Sequence, residues 1–464
     1  MNSKQDEITE EYGRLTKHPE GSIRELFTIA VPLMFSILSG SLMMFLDRLI
    51  LANYSLEAMN AAAAASMVCA VMQYGAIGIA SIAEVFVGQY NGAGKYTKAA
   101  QPAWQMAWFS LFLTAPFFAA AQWLGPYVLS DYHYHDLGLP YFRWLLYFGP
   151  IFPAQTAFSA FFIGLGKVRL VAFATIIGNI VNVVLDILLV FGISSYIPAL
   201  GTKGAAIATG ISQCFQALIL LVPFFNTFHR EKYHTSCFSF KPKLFLKYFR
   251  VGFPSALGHM IEISAWAIIA RMLISVGEDY ITVMAIGQSF LTLIAFGMEG
   301  LQKSVTTIAA NFIGAKKWDK VNKTWRSASK LLIVLAAVFS SIMIFYPDPI
   351  ISEFLSEETE DFARLFSILR ITGILVWTFF IFDGLTWISA GVLIAAGDTF
   401  RVMVINVASN WLFALLPTYV FIVLLHGSPV QSWVIVNCYG IANATLFYIR
   451  YHRGKWKHNN ANMV

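Results

Sequence analysis

The chain has 464 residues, of which 57% are hydrophobic and only 12% are charged. Because a soluble domain carries about 25% charged residues, this composition excludes an ordinary soluble protein and indicates one that lies in a membrane. The formal net charge of +6 is carried by alternate loops, so it predicts a membrane orientation rather than binding to nucleic acid.

Apolar segments long enough to cross a bilayer, which takes about 20 residues each, recur along the whole sequence. We predict an all-α membrane protein with twelve transmembrane helices. The polar start lacks the basic, apolar and small-residue pattern of a cleaved signal peptide. The predicted spans are residues 26–53, 58–88, 100–125, 141–165, 170–192, 204–225, 246–275, 280–312, 327–347, 362–396, 400–425 and 430–450.

The basic residues predict that both termini are cytoplasmic, in the plasma (inner) membrane if the protein is bacterial. Basic loops contain residues 95–98, 167–169, 230–250, 316–326 and 450–457. The loops on the other side are acidic or neutral and include Glu57, DYHYHDLG (131–138) and PDPIISEFLSEETED (347–361). We therefore predict a cytoplasmic tail (1–25), an amino-terminal lobe (26–225), a basic cytoplasmic linker (226–245), a carboxy-terminal lobe (246–450) and a second cytoplasmic tail (451–464).

Asp47 and Arg48 are adjacent near the end of the first span. Ionisable residues inside membranes mark functional sites by default, whereas a long side chain near a helix end can reach the headgroups. Successive helical side chains point about 100° apart, so the two need not pair. We expect Asp47 to face the interior of the lobe and Arg48 to anchor the helix at the membrane surface.

The fifth span carries a second polar group, formed by Asn179, Asn182 and Asp186. Spacings of three and four residues place all three on one helical face. A carboxylate with amide oxygens suits a sodium ion, and an aspartate in a low dielectric could instead hold a proton. The alternative is a hydrogen-bond network that only packs the helices.

In the second half, Glu262 and Asp383 are each followed one turn later by a tryptophan, Trp266 and Trp387. An acid beside an aromatic face suits an organic cation, through charge attraction and cation–π contact. The alternative is that the tryptophans only pack.

Other polar residues of the second half have simpler interpretations. His259, three residues before Glu262, is a hydrogen-bond partner rather than half of a metal site, because no second motif of this kind is present. Glu299 and Lys303 are spaced for a salt bridge, with Lys303 also a candidate for the cleft surface. We predict no metal site beyond a possible sodium ion.

The second half of the sequence repeats the first. VGQYNGAGKYTKAAQPAW (87–104) is echoed by AANFIGAKKWDKVNKTWR (309–326), and IGLGKVRLVAFATIIGN (163–179) resembles IAAGDTFRVMVINVASN (394–410). The glycines after residue 87 predict a tight turn with left-handed backbone. The repeat predicts two pseudo-symmetric six-helix lobes around a central cleft, an arrangement typical of transporters. The four membrane carboxylates do not recur at matching positions, so the charges belong to function rather than to the scaffold.

These features resemble the multidrug and toxic compound extrusion (MATE) family over essentially the whole chain. Asp47 matches the family's first-span aspartate, and Glu262 matches its seventh-span glutamate. DGLTWISAGVLIAAGDT (383–399) is similar to the NorM-like branch, whereas NIVNVVLD (179–186) is similar to the DinF-like branch. Thr209 resembles a family position that adds a hydroxyl to the cation site.

The resemblance implies a secondary antiporter rather than an enzyme. It implies export of amphipathic, often cationic, drug-like compounds in exchange for Na⁺ or H⁺, as two lobes rock about the cleft. It implies no cofactor beyond this coupling ion, and we expect a monomer in the lipid bilayer. One alternative is a flippase for lipid-linked oligosaccharides of the same superfamily, which the mostly acidic membrane charges disfavour. A membrane-embedded enzyme is the remote alternative.

Overall fold

The structure is a computed structural model that describes residues 14–129, 135–193, 198–354 and 362–459. These residues form helices, which confirms the predicted all-α class. Ten of the described helices are long and apolar enough to cross a membrane. Two further helix pairs, bent by 42° and 49°, bring the number to twelve if each pair is one span.

We number these spans α1 to α12, with the bent pairs as α4 and α8. The amino-terminal six are α1 Ile23–Tyr54, α2 Leu56–Gly92, α3 Tyr96–Val128, α4 His135–Tyr147 with Ile151–Gly164, α5 Val168–Phe191 and α6 Thr202–Phe224. The other six are α7 Pro242–Val276, α8 Glu278–Thr292 with Ile294–Gly314, α9 Trp318–Phe345, α10 Phe362–Ala395, α11 Thr399–Leu424 and α12 Pro429–His452.

Side-chain caps fix where several spans begin. The Ser22 hydroxyl accepts a hydrogen bond from the Glu25 backbone N–H at 3.2 Å, and the Glu25 carboxyl accepts one from Gly21 N–H at 2.6 Å. Ser428 and Gln431 form the same kind of capping box at the start of α12. Each box satisfies backbone N–H groups that the first helical turn leaves without partners, so the polar loops end where the apolar spans start.

The twelve spans pack as two lobes. In the amino-terminal lobe α5 packs on α1 and α6, and in the carboxy-terminal lobe α10 packs on α8 and α12. The lobes meet where α1 contacts α8 and α7 contacts α2. Because α1 corresponds to α7 and α2 to α8 in the repeat, the two contacts are related by pseudo-symmetry. The prediction of two six-helix lobes is confirmed.

Repeated glycines allow this interface to close at the end of the lobes that carries the basic loops, which we call the basic end. A Cβ atom on Gly92 would lie 1.9 Å from the Asn311 carbonyl oxygen, and one on Gly314 would lie 2.1 Å from the Gln89 carbonyl oxygen. The two contacts occupy matching positions in the repeats. The prediction of left-handed backbone is right for Gly94, with φ of +70°, and wrong for Gly92, which is helical and permits close helix approach.

Two matching hydrogen bonds reinforce the contact at the basic end. The Gln89 amide donates to the Ala395 carbonyl at 2.6 Å, and the Asn311 amide donates to the Gly164 carbonyl at 2.9 Å. Gln89 corresponds to Asn311 and Gly164 to Ala395, so the duplication preserved both partners of the contact.

The linker lies against the amino-terminal lobe. After a short helix, Thr227–Tyr233, its backbone carbonyls at Thr235, Phe238 and Ser239 accept hydrogen bonds from α3 side chains. The carboxy-terminal tail also packs on its lobe, because Trp456 is fully buried. Residues 1–13 and 460–464 of the predicted tails, and parts of the acidic loops at 131–138 and 347–361, lie outside the described residues.

Candidate functional site

The first polar site lies inside the amino-terminal lobe, where α1 meets α5. The neighbours of Asn182 assign its amide orientation: the nitrogen donates to Asp47 Oδ1 at 2.9 Å and to Asp186 Oδ2 at 3.2 Å, and the oxygen accepts from Thr209 N–H at 3.3 Å. Asn182 and Asp186 have no exposed surface. A hydrogen bond also joins the carboxyl groups of Asp47 and Asp186.

This geometry can hold a proton or, after a small rearrangement, a cation. Two carboxyl groups joined by a hydrogen bond share a proton, because two bare carboxylates offer only acceptors. Among the described residues, Asp186 Oδ1 is buried and has no hydrogen-bond partner, so one acceptor remains for a cation. Carboxylate and amide oxygens suit a hard ion, and the Asn182 amide would have to turn its oxygen toward the carboxyl groups to join them.

Asn179 and Thr209 border this site. The Asn179 amide donates to Ser39 Oγ at 2.9 Å and accepts from Gln216 Nε2 at 3.4 Å, so it ties α5 to α1 and α6. The Thr209 hydroxyl donates to the Ala205 carbonyl at 3.0 Å, which leaves lone pairs on its oxygen. Cation ligation by Asn179 and by the Thr209 hydroxyl stays a prediction.

The two adjacent charges of α1 lie in different surroundings. Arg48 is exposed, whereas Asp47 is partly buried and contacts α5. Tyr141 of α4 lies close enough to Asp47 and Asp186 for their charges to act on its hydroxyl. The adjacent residues therefore face different environments, the carboxyl group toward the polar site and the guanidinium away from it.

The second polar site is a cavity of about 220 Å³ in the carboxy-terminal lobe. It brings together four of the residues singled out from the sequence. Its polar and aromatic lining comprises Glu262, Trp266, Gln288, Thr292, Phe379, Asp383, Trp387, Trp433 and Tyr439. Two acids in an aromatic pocket are the surroundings that an organic cation requires.

The acids of this cavity have defined partners. The Asn406 amide donates to Glu262 Oε2 at 2.7 Å, and His259 Nδ1 lies 3.7 Å from the same oxygen. The Asp383 carboxyl group interacts with the indole of Trp387, one turn later on α10. The two carboxyl groups are thus contacted by amide, indole and imidazole groups, and no lysine or arginine of the described residues lies within 4.0 Å of either.

The aromatic walls also pack on one another. The rings of Trp266 and Tyr439 are 5.8 Å apart and nearly perpendicular, at 77°. The indole N–H of Trp433 donates to the Val283 carbonyl at 3.2 Å. Packing and substrate contact are therefore compatible roles for Trp266, because its ring belongs to the cavity wall.

Lys303 lies at the boundary between the lobes rather than in the cavity. Its ammonium group is 3.0 Å from Glu299 Oε1, so the predicted ion pair is present. Across the boundary, Thr307 Oγ1 donates to Glu84 Oε1 at 2.7 Å, and the Lys303 charge acts on Glu84. This pairing cannot be read from the sequence, because a threonine in a distant span carries no pairing signal.

Several residues of the two sites were missed by reasoning from the sequence. Tyr141 and Gln216 belong to the amino-terminal site, and Asn406 and Tyr439 to the carboxy-terminal one. Each is a polar side chain inside an apolar span, which was the available signal. Within the described ranges, there is no group of three His, Cys, Asp or Glu residues that could hold a metal ion.

Comparison with known proteins agrees with the repeat. The family described as MatE matches residues 32–188 and again residues 254–420. The probable multidrug resistance protein NorM of Thermotoga maritima is 24% identical over 441 residues, 94% of this chain and 93% of that protein. The multidrug resistance protein NorM of Vibrio vulnificus is 23% identical over 404 residues, 85% of this chain and 86% of that protein.

Solved structures share the fold. An outward-facing multidrug resistance MATE family transporter of the MOP superfamily superposes with a TM-score of 0.82 at 18% identity, covering 97% of this chain and 99% of that one. The eukaryotic MATE transporter AtDTX14 gives a TM-score of 0.80 at 19% identity, covering 95% and 97%.

Proposed function

The chain belongs to the MATE family of membrane transporters, and from this premise we propose that it exports amphipathic, often cationic organic compounds in exchange for inward Na⁺ or H⁺. It is a multi-pass integral membrane protein and a transporter rather than an enzyme. We extend the proposal to its orientation, with the basic end in the cytoplasm. That orientation follows from the positive-inside rule.

The aromatic cavity with two acids carries this proposal. Glu262 and Asp383 supply negative charge in a space of about 220 Å³, and Trp266 supplies part of an aromatic wall. A cation that moves from water into this cavity loses its hydration. Contacts with the carboxylates and with the faces of the aromatic rings compensate for that loss. Drug-like substrates are also consistent with the names of the NorM relatives.

The paired acids of the other lobe support ion coupling at a separate place. Asp47 and Asp186 share a hydrogen bond, and this arrangement accommodates a proton as it stands. Sodium requires the Asn182 oxygen to turn inward. Ion binding in one lobe would change the relative stability of the inward-open and outward-open states, and substrate affinity in the other lobe would follow by reciprocal linkage.

A titration of dye binding against sodium concentration and pH tests separate sites. Indirect coupling of 1–3 kcal/mol predicts that saturating ion changes the apparent dissociation constant by a limited factor of roughly 5–150. Direct competition for one acid predicts a rise without limit. An unbounded rise that disappears in Glu262→Gln would refute separate sites, and the ion that produces the plateau is the coupling ion.

The flippase alternative is weakened by the position of Lys303. Recognition of a pyrophosphate group requires cationic side chains that are free to bind it. The Lys303 ammonium instead pairs with Glu299 at 3.0 Å and lies near Glu84. Dye efflux from a host lacking its own pumps, measured with and without an inward ion gradient, separates the two: a flippase would give no gradient-dependent efflux.

A further inference from the structure

A second cavity, of about 300 Å³, lies at the basic end of the carboxy-terminal lobe, between the start of α9 and the end of α12. It shares no lining residue with the carboxy-terminal cavity and no residue with the amino-terminal polar site. Its lining is aromatic and cationic and consists of Asn322, Trp325, Arg326, Tyr448, Tyr451, His452 and Lys457.

Stacked rings build a firm wall for this cavity. The ring of Tyr451 stacks on Trp325 at 5.3 Å and 15°, and on Trp456 at 5.9 Å and 11°. The Tyr451 hydroxyl donates to Asn322 Oδ1 at 2.7 Å, and the Trp456 indole donates to the Tyr451 carbonyl at 2.7 Å. Because these bonds join α9, α12 and the tail, the wall is formed by the fold itself.

Among the described residues, no acidic side chain pairs with the cationic groups around this wall. Arg326, His452 and Lys457 have no carboxylate within 4.0 Å in the part of the chain that the structure describes, although such pairs occur nearby, as between Arg450 and Asp398 at 2.6 Å. Arginine offers five N–H donors and lysine three, and neither has an acceptor. Their convergence on one cavity therefore calls for an anionic ligand with several oxygen atoms.

The repeat provides an internal comparison. Arg326 occupies the position that Trp104 holds in the first half, at the end of the two aligned stretches 87–104 and 309–326. In the amino-terminal lobe the linker covers this place, and the Trp104 indole donates to the Thr235 carbonyl at 2.8 Å. In the carboxy-terminal lobe the corresponding donor is the Arg326 guanidinium group, which lines the cavity. A ligand oxygen can accept its hydrogen bond there, as the linker carbonyl does for Trp104.

We propose that this cavity binds a phosphate group, either in the head group of a phospholipid or free in solution. The oxygen atoms of a phosphate group can accept hydrogen bonds from the planar guanidinium group of Arg326 and from the Lys457 ammonium group. The lipid source is favoured by the position at the ends of two spans, where the neighbouring Leu446 and Ile449 are 38% exposed and can contact acyl chains. The aromatic wall belongs at this depth, where amphipathic rings meet headgroups.

Binding to the purified, delipidated full chain in neutral detergent tests the proposal. The probes are short-chain phosphatidylglycerol, short-chain phosphatidylcholine and inorganic phosphate. We expect phosphatidylglycerol to saturate a single site, and its dissociation constant to rise about tenfold in Arg326→Gln/Lys457→Gln, because charge-assisted hydrogen bonds are lost. Saturation by phosphatidylglycerol but not by inorganic phosphate assigns a lipid, and saturation by inorganic phosphate assigns a free phosphate.

Lys330→Gln/Arg453→Gln is the matched control, since it removes the same charge from exposed positions outside the cavity. We expect it to change the dissociation constant less than about twofold, as expected for exposed charges. Truncation after Asn459 tests whether residues 460–464 compete for the cavity, and tighter binding without them supports the site. Equal losses in both double variants, or no saturable binding of any probe, would overturn the proposal.

Discussion

The hydroxyl of Thr307 in α8 donates a 2.7 Å hydrogen bond to the carboxyl group of Glu84 in α2. A side chain of the carboxy-terminal lobe thus supplies a hydrogen-bond donor to a buried acid of the amino-terminal lobe. Within the described ranges, every hydrogen bond joining the lobes lies at this level or nearer the basic end. Toward the opposite end, a Cβ atom on Gly40 of α1 would have no neighbour within 4 Å. Between these levels α2 and α7 still touch, since a Cβ atom on Gly75 would lie 3.1 Å from Met260 Sδ. The Glu84–Thr307 pair is therefore, among the described residues, the inter-lobe hydrogen bond farthest from the basic end.

Thr307→Val is expected to weaken the contact between the lobes. Valine keeps the shape of threonine but removes the donor, and a buried acceptor left without a partner costs about 1–3 kcal/mol. The state with the basic end open should gain population by roughly tenfold relative to the wild type. Spin labels at Lys98→Cys and Asp319→Cys, on opposite lobes, report this change as a longer distance.

Thr306→Val is the matched control for this experiment. The Thr306 hydroxyl bonds only to the Gln302 and Gly391 carbonyls of its own lobe. Its loss should leave the distance distribution as in the wild type. A shift of the same size in both variants would show that the Glu84 bond does not hold the lobes together.

Asp47→Asn is expected to abolish gradient-driven efflux while leaving the protein folded. Asparagine fills the same volume and can still bond to Asp186, but it cannot release or bind a proton and carries no charge for a cation. The ion-dependent change in dye affinity should disappear. The control is Arg48→Gln, at the exposed neighbouring position, which should keep the coupling of efflux to the ion gradient. Wild-type transport by Asp47→Asn would exclude the amino-terminal site from coupling.

Glu262→Gln is expected to weaken binding of a cationic dye about tenfold, because the charge-assisted attraction is lost. Glutamine can still accept the hydrogen bond from Asn406, so the cavity should keep its shape. A neutral dye should change affinity less than about threefold, and Asp383→Asn should behave in the same way. Equal losses of affinity for both dyes would mean that these acids have a structural role. Glu278→Gln, at an exposed position, is the control for the change in net charge.

The fourth prediction concerns stability and the short linker helix, where His229 Nε2 accepts a hydrogen bond from Lys167 Nζ at 2.6 Å. Burial lowers the pKa of His229 below its ordinary value of 6.5, and the charges of Lys167 and Lys232 lower this pKa further. As the pH falls below 6.5, the unfolded chain therefore binds a proton on His229 before the folded chain does. Stability should fall through this range and level off below the folded-state pKa.

Thermal unfolding between pH 7.5 and pH 5 measures this effect. His229→Gln keeps a donor and an acceptor but does not titrate, so its unfolding midpoint should fall less with pH than that of the wild type. His426→Gln, at an exposed position, should keep the wild-type profile. Parallel profiles for the wild type and His229→Gln would contradict the prediction.

Much of the architecture could be predicted because membrane spans are long apolar segments, and because the repeat relates Gly92 to Gly314. The contact between Asp47 and Asp186 could not be predicted. Helical spacing gives the face on which Asp186 lies, but it does not say which helix covers that face. Thr307 was missed as the partner of Glu84 for a similar reason, since the two are 223 residues apart in sequence.

The sequence indicates which residues are candidates for a site more readily than it indicates which of them lie together. Lys303 and Glu262 were both candidates for the substrate site, yet only Glu262 lines the carboxy-terminal cavity. Lys303 lies one turn before Thr307 and faces the lobe boundary, where Glu299 and Glu84 surround it. A charge inside a span signals that a partner exists, whereas the position of that partner depends on how the helices are arranged.

The reciprocal contacts of Gly92 with Asn311 and of Gly314 with Gln89 have a mechanical consequence. A single close contact would act as a pivot, about which one lobe could swing while the contact persisted. Two equal contacts on either side of an axis act as a clamp, since rotation that relieves one compresses the other. In the transport cycle that we propose, opening of the lobes at this end would therefore release both contacts together, as a single step.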